Sequence, residues 1–538
     1  MHLAVDTLST GSFLFLGLAL FFALSFEFVN GFHDTANAVA TVIYTHTLRP
    51  WVAVVWSGIW NLIGVLTSSG GVAFAVLALL PVELIVNIGS GPGFAMVFAL
   101  LIAAIIWNVG TWYLGLPASS SHTLVGSIMG VGLANALLGH GHFGAGVNWA
   151  EVTKVFRSLL VSPLVGFTVA ALLLLLAKKL LAKRKELFEA PTKDAPPPGW
   201  VRGLLVLTCT GVSFAHGSND GQKGMGLILL ILIGILPGTY AINPELHGND
   251  MASLAASAAA AAPILAAHAD GTTLAPADAA TELSAYLATG GVASAKTFAA
   301  LALVDARLAA SFAGKSDLSS LNIDQRKALR TDIYMVSAAV AKLVKDKRIT
   351  APSELAVLVG AKGVKGLTAH LNGATQFIPS WVKFAVAIAL GLGTMIGWKR
   401  IVVTVGEKIG KAHLTYAQGA SAELVAMATI IAADQYHLPV STTHVLSSGV
   451  AGTMAANRSG LQTETLRNLL LAWVLTLPAS VLLGALTFAG GLYIVLHSLV
   501  VHTLAVAGVL VAVLAVLVLR RLAAKRAQAG SNGGRIAA

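Results

Sequence analysis

The sequence predicts an all-α polytopic membrane protein, with roughly 10–12 transmembrane segments in two inverted repeats that contain broken or re-entrant helices. Three observations predict this. The composition is strongly apolar, apolar blocks of membrane-spanning length recur along the chain, and two polar motifs each occur twice in the same order.

Composition comes first. Of 538 residues, 56% are hydrophobic and only 11% charged, and the mean hydropathy is +0.78. A soluble chain of this length would carry far more charge. Apolar blocks lie at Phe13–Phe28, Val52–Leu66, Phe94–Trp112, Leu159–Ala177, Gly203–Phe214, Phe384–Ile396 and Leu499–Leu519. Extended by polar neighbours, they approach the ~20 residues that cross a bilayer. The first block is not expected to be a cleaved signal, because the residues before it hold Asp6 and no Lys or Arg. The formal net charge is +11, yet no nucleic-acid partner is expected. The bases cluster beside membrane segments, at Lys178, Lys179, Lys183, Arg184 and Lys185, and again at Arg520, Arg521, Lys525 and Arg526. That is the positive-inside signal, and it assigns both clusters to the cytoplasm. Cys209 is the only cysteine, which excludes a disulfide framework and a cysteine-based metal site.

The duplication orders the rest of the chain. "NGFHDTANA" (30–38) aligns with "HGSNDGQKG" (216–224) when Gly31 is laid on Gly217, so Asp34 falls on Asp220 and Asn37 on Lys223. "LPASSSHTLVGS" (116–127) aligns with "LPVSTTHVLSSG" (438–449), pairing Ser119–Ser121 with Ser441–Thr443 and His122 with His444. Two motifs in the same order make an internal duplication. The expected organisation is repeat one at 1–177, a basic cytoplasmic linker at 178–200, and the first part of repeat two at 201–241. A soluble Ala-rich helical insertion follows at 242–378, then the second part of repeat two at 379–498. A final transmembrane helix with a basic tail closes the chain at 499–538. The insertion holds eleven acids and twelve bases, so charge does not choose its side. About five crossings in repeat one would invert repeat two, an arrangement common in secondary transporters. The block Val72–Leu80 bears on that count.

Each hydroxyl run follows a proline and precedes an apolar helical stretch, a helix-start signature. First-turn amides lack intrahelical partners and sit at the positive dipole end, which makes an anion site. A discontinuous membrane helix presents such an end to an anionic substrate. The competing reading is that these hydroxyls only bond helix to helix. Carboxylates beside an anion make sense if a cation or proton travels with it, or if the anion itself carries a proton. Asp34 and Asn37, three apart, share a helix face and offer hard oxygen ligands. Lys223 puts a fixed charge where the first repeat has Asn37; a structural Asp220–Lys223 ion pair is the alternative. His33, His122, His216 and His444 suit either packing or a proton relay, and Glu27 either proton carriage or a structural hydrogen bond. Asn61, Asn108, Trp107 and Trp112 read as packing and interface residues. No Walker A loop, HExxH or cysteine–histidine cluster is present, so no ATP-driven step and no enzyme activity is expected.

At these residues the sequence resembles the inorganic phosphate transporter (PiT) family, and most closely its bacterial low-affinity branch. The segments that carry the likeness are "GFHDTANAVATVIYT", "LPASSSHTLVGSIMGVGL", "HGSNDGQKG", "IGWKRIVVTVGEKIGK" and "LPVSTTHVLSSGVAGTM". They leave the insertion and the tail unsupported. The resemblance implies opposed repeats around one phosphate, a homodimer, and a multi-pass location in the bacterial cytoplasmic (inner) membrane. Sodium-coupled members carry an Asn-Asp-x-x-Asn motif in both halves, whereas "NDGQK" stands in the second half here. Phe32 and His33 also stand where many relatives have smaller residues.

The expected function is therefore a secondary symporter importing inorganic phosphate, as orthophosphate or as a neutral complex with Mg²⁺ or another divalent metal. A proton is the coupling ion, arsenate an analogue substrate, and no resident cofactor or fixed metal is expected. The substrate-binding set is Asp34, Asn37, Ser119, Ser120, Ser121, Thr123, Asn219, Asp220, Lys223, Ser441, Thr442 and Thr443. The coupling set is Asp34, Asn37, Asp220, His33, His122, His444 and Glu27. Sodium-coupled phosphate symport and a sulfate or other oxyanion permease are the alternatives. Against sulfate, an Asp accepts a hydrogen bond from the P–OH of HPO₄²⁻, and sulfate has none to give. An anion channel or a phosphate sensor is the reading from a different class.

Overall fold

The computed structural model describes residues 9–79, 90–139, 144, 147–191, 197–287, 291–315 and 317–497. The expected final helix and basic tail at 499–538 lie outside the described residues. Helix α1 (Thr10–Asp34) and helix α2 (Ala36–Tyr44) are separated by one residue, Thr35. Its backbone keeps helical angles (φ −52°, ψ −37°), and Thr10–Tyr44 runs on as one 35-residue span. The first motif thus interrupts its helix without turning it back. Helix α3 (Pro50–Thr67) starts on a proline, whose missing N–H costs nothing at that position. Helix α4 (Gly71–Leu77) has seven residues, far too few to cross a bilayer. Helices α5 (Gly91–Tyr113), α6 (Ser120–Leu138) and α7 (Trp149–Leu180) complete the first half. Helix α8 (Gly199–Ile235) carries the second motif through 37 residues without a break.

The insertion folds on its own apolar core. Helices α9 (Gly248–His268), α10 (Ala279–Leu287), α11 (Ala295–Phe312), α12 (Ile323–Lys345), α13 (Pro352–Leu358) and α14 (Leu367–Thr375) bury Leu254, Leu265, Leu301, Val304, Ile333, Val336 and Leu371 together. Ser294 and Asn322 start α11 and α12 as reciprocal capping boxes. Arg307 joins these two helices through a bidentate pair with Asp332 at 2.7 and 2.6 Å. The chain returns to the membrane part in α15 (Ser380–Met395), α16 (Lys399–Glu407), α17 (Tyr416–Gln435), α18 (Thr442–Ala456) and α19 (Thr463–Leu496).

By length and composition, seven of the described helices can cross a membrane, or eight if the α14–α15 pair, bent by 67°, is one span. One of the seven is α9, which lies in the insertion's core and owes much of its hydropathy to alanine. The count falls below roughly 10–12 for a physical reason. Helix α8 is long enough, but its polar motif lowers its mean hydropathy, and α18 has 15 residues, about 22 Å, against a hydrocarbon core of about 30 Å.

The two halves exchange partners. α1 packs on α15 while α8 packs on α3; α6 packs on α19 while α18 packs on α7. These contacts are close because glycines face backbone. A Cβ on Gly31 would meet the Leu390 carbonyl oxygen at 2.4 Å, and one on Gly217 would meet that of Asn61 at 2.1 Å. Small residues at helix contacts are how membrane helices gain packing without a hydrophobic drive between them.

Candidate functional site

Helices α6 and α18 begin inside the protein. Ser119 caps α6 by accepting from the His122 amide (3.2 Å), and Ser441 caps α18 by accepting from the His444 amide (3.2 Å). Both N-termini are buried: Ser119, Ser120, Ser121, Ser441, Thr442 and Thr443 are each at most 2% exposed. The ends meet each other. His122 and His444 lie ring against ring with centroids 4.8 Å apart, and Ser121 Oγ donates to the Val440 carbonyl at 2.8 Å. Two dipole ends and two hydroxyl runs thus share one interior space.

The aspartates project into the same space. Asp34 Oδ1 accepts from Thr443 Oγ1 at 2.6 Å, and its Oδ2 from Ser120 Oγ at 3.0 Å, so one carboxylate ties both hydroxyl runs together. Asn37 Nδ2 donates to Thr443 Oγ1 (3.0 Å) and Thr442 Oγ1 (3.2 Å). Asp34 and Asn37 therefore do face the same way, each reaching Thr443. From α8, Lys223 Nζ sits 2.8 Å from Asp220 Oδ2 and donates to Ser121 Oγ at 2.6 Å. The buried ammonium is paired and hydrogen-bonded, the condition under which a buried charge is tolerated.

His216 joins the two aspartates. Its Nε2 lies 3.7 Å from Asp34 Oδ2 and 3.5 Å from Asp220 Oδ2, and its Nδ1 is held by Asn61 Oδ1 at 2.7 Å. One ligand atom from each of Asp34, His216 and Asp220 lies within 4.8 Å of the others. Two carboxylates and an imidazole of this spacing form a set able to hold a divalent cation. The residue spacing within the motifs suggested Asp34 and Asn37 as cation ligands; the tertiary arrangement adds His216, and makes Asn61, read as packing, its orienting partner.

The remaining expected residues are placed less centrally. Asn219 holds the loop before α18, donating to the Leu438 carbonyl at 3.1 Å. Thr123 Oγ1 donates back to the Ser119 carbonyl at 2.9 Å, so its hydroxyl serves its own helix. His33 bridges Asp34 Oδ1 and Thr111 Oγ1, both at 3.1 Å. His444 stacks on Trp473 with centroids 4.4 Å apart, which puts the two motif histidines behind the hydroxyls rather than against the carboxylates. Glu27 is fully buried with no hydrogen-bonding partner among the described residues, and its side chain lies against Gly224 of α8.

Two contacts that sequence reasoning missed flank the cluster. On one flank Phe32 packs on Trp112, centroids 4.9 Å apart, and a Cβ on Gly397 would touch both rings. On the other, Asp434 of α17 accepts from Ser218 Oγ (2.8 Å) and Gln222 Nε2 (2.6 Å), while Gln222 Oε1 accepts from the Val72 amide of α4 (2.8 Å). The motif alignment carries the signal for both. It lays Phe32 on Ser218 and, with Pro117 on Pro439, Trp112 on Asp434.

A buried polar cluster between membrane helices, assembled from two repeats, is the kind of site around which a membrane carrier is built. The comparisons agree. Residues 30–484 match the phosphate transporter family, and the chain belongs to that family. It is similar to the low-affinity inorganic phosphate transporter PitA of Escherichia coli strain K12, 42% identical over 504 residues, covering 90% of this chain and 97% of that one. Its similarity to PitB of the same strain is 41% identity over 507 residues, covering 89% and 96%. A protein of Bacillus subtilis named a probable low-affinity inorganic phosphate transporter is 28% identical over 472 residues, covering 87% and 94%. All three names are of transporters.

Proposed function

We propose that this chain is a secondary symporter that imports inorganic phosphate across the bacterial cytoplasmic membrane, by alternating access between two inverted repeats. One observation carries the reading: the buried N-termini of α6 and α18, each with its hydroxyl run, converge on Asp34, Asp220 and Lys223. Ser120 and Thr443 hold donors that an oxyanion can take over from Asp34, and the freed carboxylate accepts from a P–OH. Hydrogen bonds of hydroxyls and ammonium to a charged oxyanion are the strong kind.

The substrate is orthophosphate or its neutral complex with Mg²⁺ or another divalent metal, and arsenate enters by the same contacts. The Asp34–His216–Asp220 group supports a metal arriving with the anion as cargo. The coupling ion is a proton. Lys223 already supplies, covalently, the positive charge that a sodium ion would bring beside Asp220, whereas a divalent metal arrives with the anion's own negative charge to offset it.

The test is uptake of radiolabelled phosphate into proteoliposomes under imposed proton or sodium gradients, with and without Mg²⁺. Saturable accumulation driven by the proton gradient, with sodium replaced by choline, is the expected result. Uptake that collapses without sodium and ignores the proton gradient overturns the coupling assignment. Flux that never exceeds equilibrium turns the carrier into a channel.

A further inference from the structure

The described residues hold a strongly basic recess away from the central cluster. It is a pocket of about 730 Å³ between the end of α5 and helix α16, lined by Trp112, Tyr113, Trp398, Lys399, Arg400 and Lys408 among others, with no acidic residue in its wall. Glu407, the neighbour of Lys408, does not line it. Lys399, Arg400 and Lys408 are all exposed, and none forms an ion pair among the described residues.

The recess is built rather than incidental. The Arg400 guanidinium lies over the rings of Trp112 (5.3 Å) and Tyr113 (4.9 Å), and its Nη1 donates to the Tyr113 carbonyl at 2.9 Å. That fixes the plane of the guanidinium and leaves further N–H groups for a ligand. Thr404 Oγ1 donates to the Gly115 carbonyl at 2.8 Å, tying α16 to the loop after α5. Helix α16, nine residues long, opens beside the recess with no side chain capping its N-terminus, so its first amides stay available to an anion.

Its location follows from packing. Phe15 on Phe94 and Phe32 on Trp112 set α1 and α5 parallel, and Trp56 bonded to Thr210 and Asn61 to His216 set α3 and α8 parallel, so Trp112 lies at the end where α8 starts, next to the basic stretch Lys178–Lys185. The recess therefore lies at the end of the molecule that the positive-inside rule assigns to the cytoplasm. Tyr113, Leu114 and Ile396 beside it are 63%, 69% and 56% exposed, an apolar rim fit for the bilayer. Phe32 packs behind Trp112 of the recess wall and precedes His33 and Asp34 in α1.

We propose that this recess is a second phosphate-group site, recognising a phosphate oxyanion through Lys399, Arg400, Lys408 and the α16 amides. Carboxylates are weaker candidates, because three cations and a helix end match a group with three free oxygens and up to two negative charges. That chemistry has two sources at this depth: the headgroup of an anionic phospholipid, or free phosphate on the cytoplasmic side of the central site. The proposal concerns binding alone and does not depend on the coupling ion.

The test uses the full chain purified in detergent, as wild type, as Lys399→Gln/Lys408→Gln, and as the triple variant that adds Arg400→Gln. The double variant alters only exposed side-chain ends, so it stands if the triple variant folds poorly. Native mass spectrometry counts bound phosphatidic acid against phosphatidylcholine, and equilibrium dialysis counts bound radiolabelled orthophosphate. If a lipid fills the recess, wild type prefers phosphatidic acid by at least about tenfold, the worth of one charge-assisted contact, and the variants lose the preference. If free phosphate fills it, wild type binds two orthophosphates per chain and the variants one. Wild type and variants that agree in both assays overturn the proposal.

Discussion

The two flanks of the central cluster occupy matched positions in the duplicated sequence and are made of opposite chemistry. Phe32 on Trp112 is an aromatic contact with no polar atom shared; Ser218 and Gln222 on Asp434 form a hydrogen-bonded knot. The same divergence runs through the motifs themselves. Asn37 reaches the hydroxyls of Thr442 and Thr443 as a neutral donor, whereas Lys223 reaches Ser121 as a cation already paired with Asp220. Duplication has kept where contacts are made and let their character drift. What has not drifted is the pair of aspartates and the pair of capped, hydroxyl-bearing helix starts.

The largest expected effect tests that unchanged pair. Asp34→Asn and Asp220→Asn each abolish phosphate accumulation, measured in proteoliposomes, but their stabilities differ. Asp220→Asn leaves Lys223 buried without its counter-charge, which costs about 3–5 kcal/mol. Asp34→Asn costs about 1–3 kcal/mol, because it weakens the acceptor of two hydroxyl donors without stranding an ammonium. Thermal melting of the purified variants ranks them. In Asp220→Asn/Lys223→Asn the stability returns while transport does not, and a double-mutant cycle reads the coupling. Near-normal uptake by either single variant removes that aspartate from the mechanism.

Next come the hydroxyl runs. Alanine at Ser119–Ser121 or at Ser441–Thr443 should weaken apparent phosphate affinity by at least about tenfold, at about 1.5–3 kcal/mol per hydrogen bond to a charged group, with smaller changes in melting temperature. Unchanged affinity in both triple variants returns these residues to helix packing.

A third variant makes the halves alike. Lys223→Asn restores the Asp-x-x-Asn pattern to the second motif, is expected to impair phosphate uptake several-fold and to introduce a sodium dependence. Uptake with choline in place of sodium is the measurement, and full activity in choline would mean that the ammonium is dispensable.

The smallest effect contrasts the site with the insertion. Asp305 on α11 is buried without a hydrogen-bonding partner among the described residues, and burial pushes its pKa up to about 7 from the ordinary 3.8. Only the folded state holds this proton between those values, so the insertion loses stability as pH rises from about 4 to about 7 and then levels. Limited proteolysis of the insertion should be slower at pH 5.5 than at pH 8, and Asp305→Asn should remove the difference.

Much of this was legible in the sequence, for reasons tied to particular residues. Pro117 and Pro439, with the hydroxyls and histidine after each, announce helix starts wherever they occur, because the cap is a local hydrogen bond. Asp34 and Asp220 stand out because a carboxylate in an apolar block is costly. The role of His216 was not legible, since its partner Asn61 lies 155 residues away and an asparagine in an apolar helix more often packs. The same holds for Asp434, which looks like an ordinary helix-end acid until α8 is laid beside it. Helices α8 and α18 escape a hydropathy count because one carries a buried polar motif and the other is short.

The exchange of partners between halves also sets the order in which the molecule can be assembled. Asp34 enters the membrane early, but its hydrogen bond from Thr443 awaits a residue 409 positions later, roughly 20–80 s of synthesis at about 5–20 residues per second. Ser120 arrives sooner, yet α6 must itself await α19. The first repeat therefore spends that interval with its polar groups and glycine-lined grooves uncovered, while the insertion folds on its own core. Biogenesis, more than the finished fold, is where this architecture is exposed.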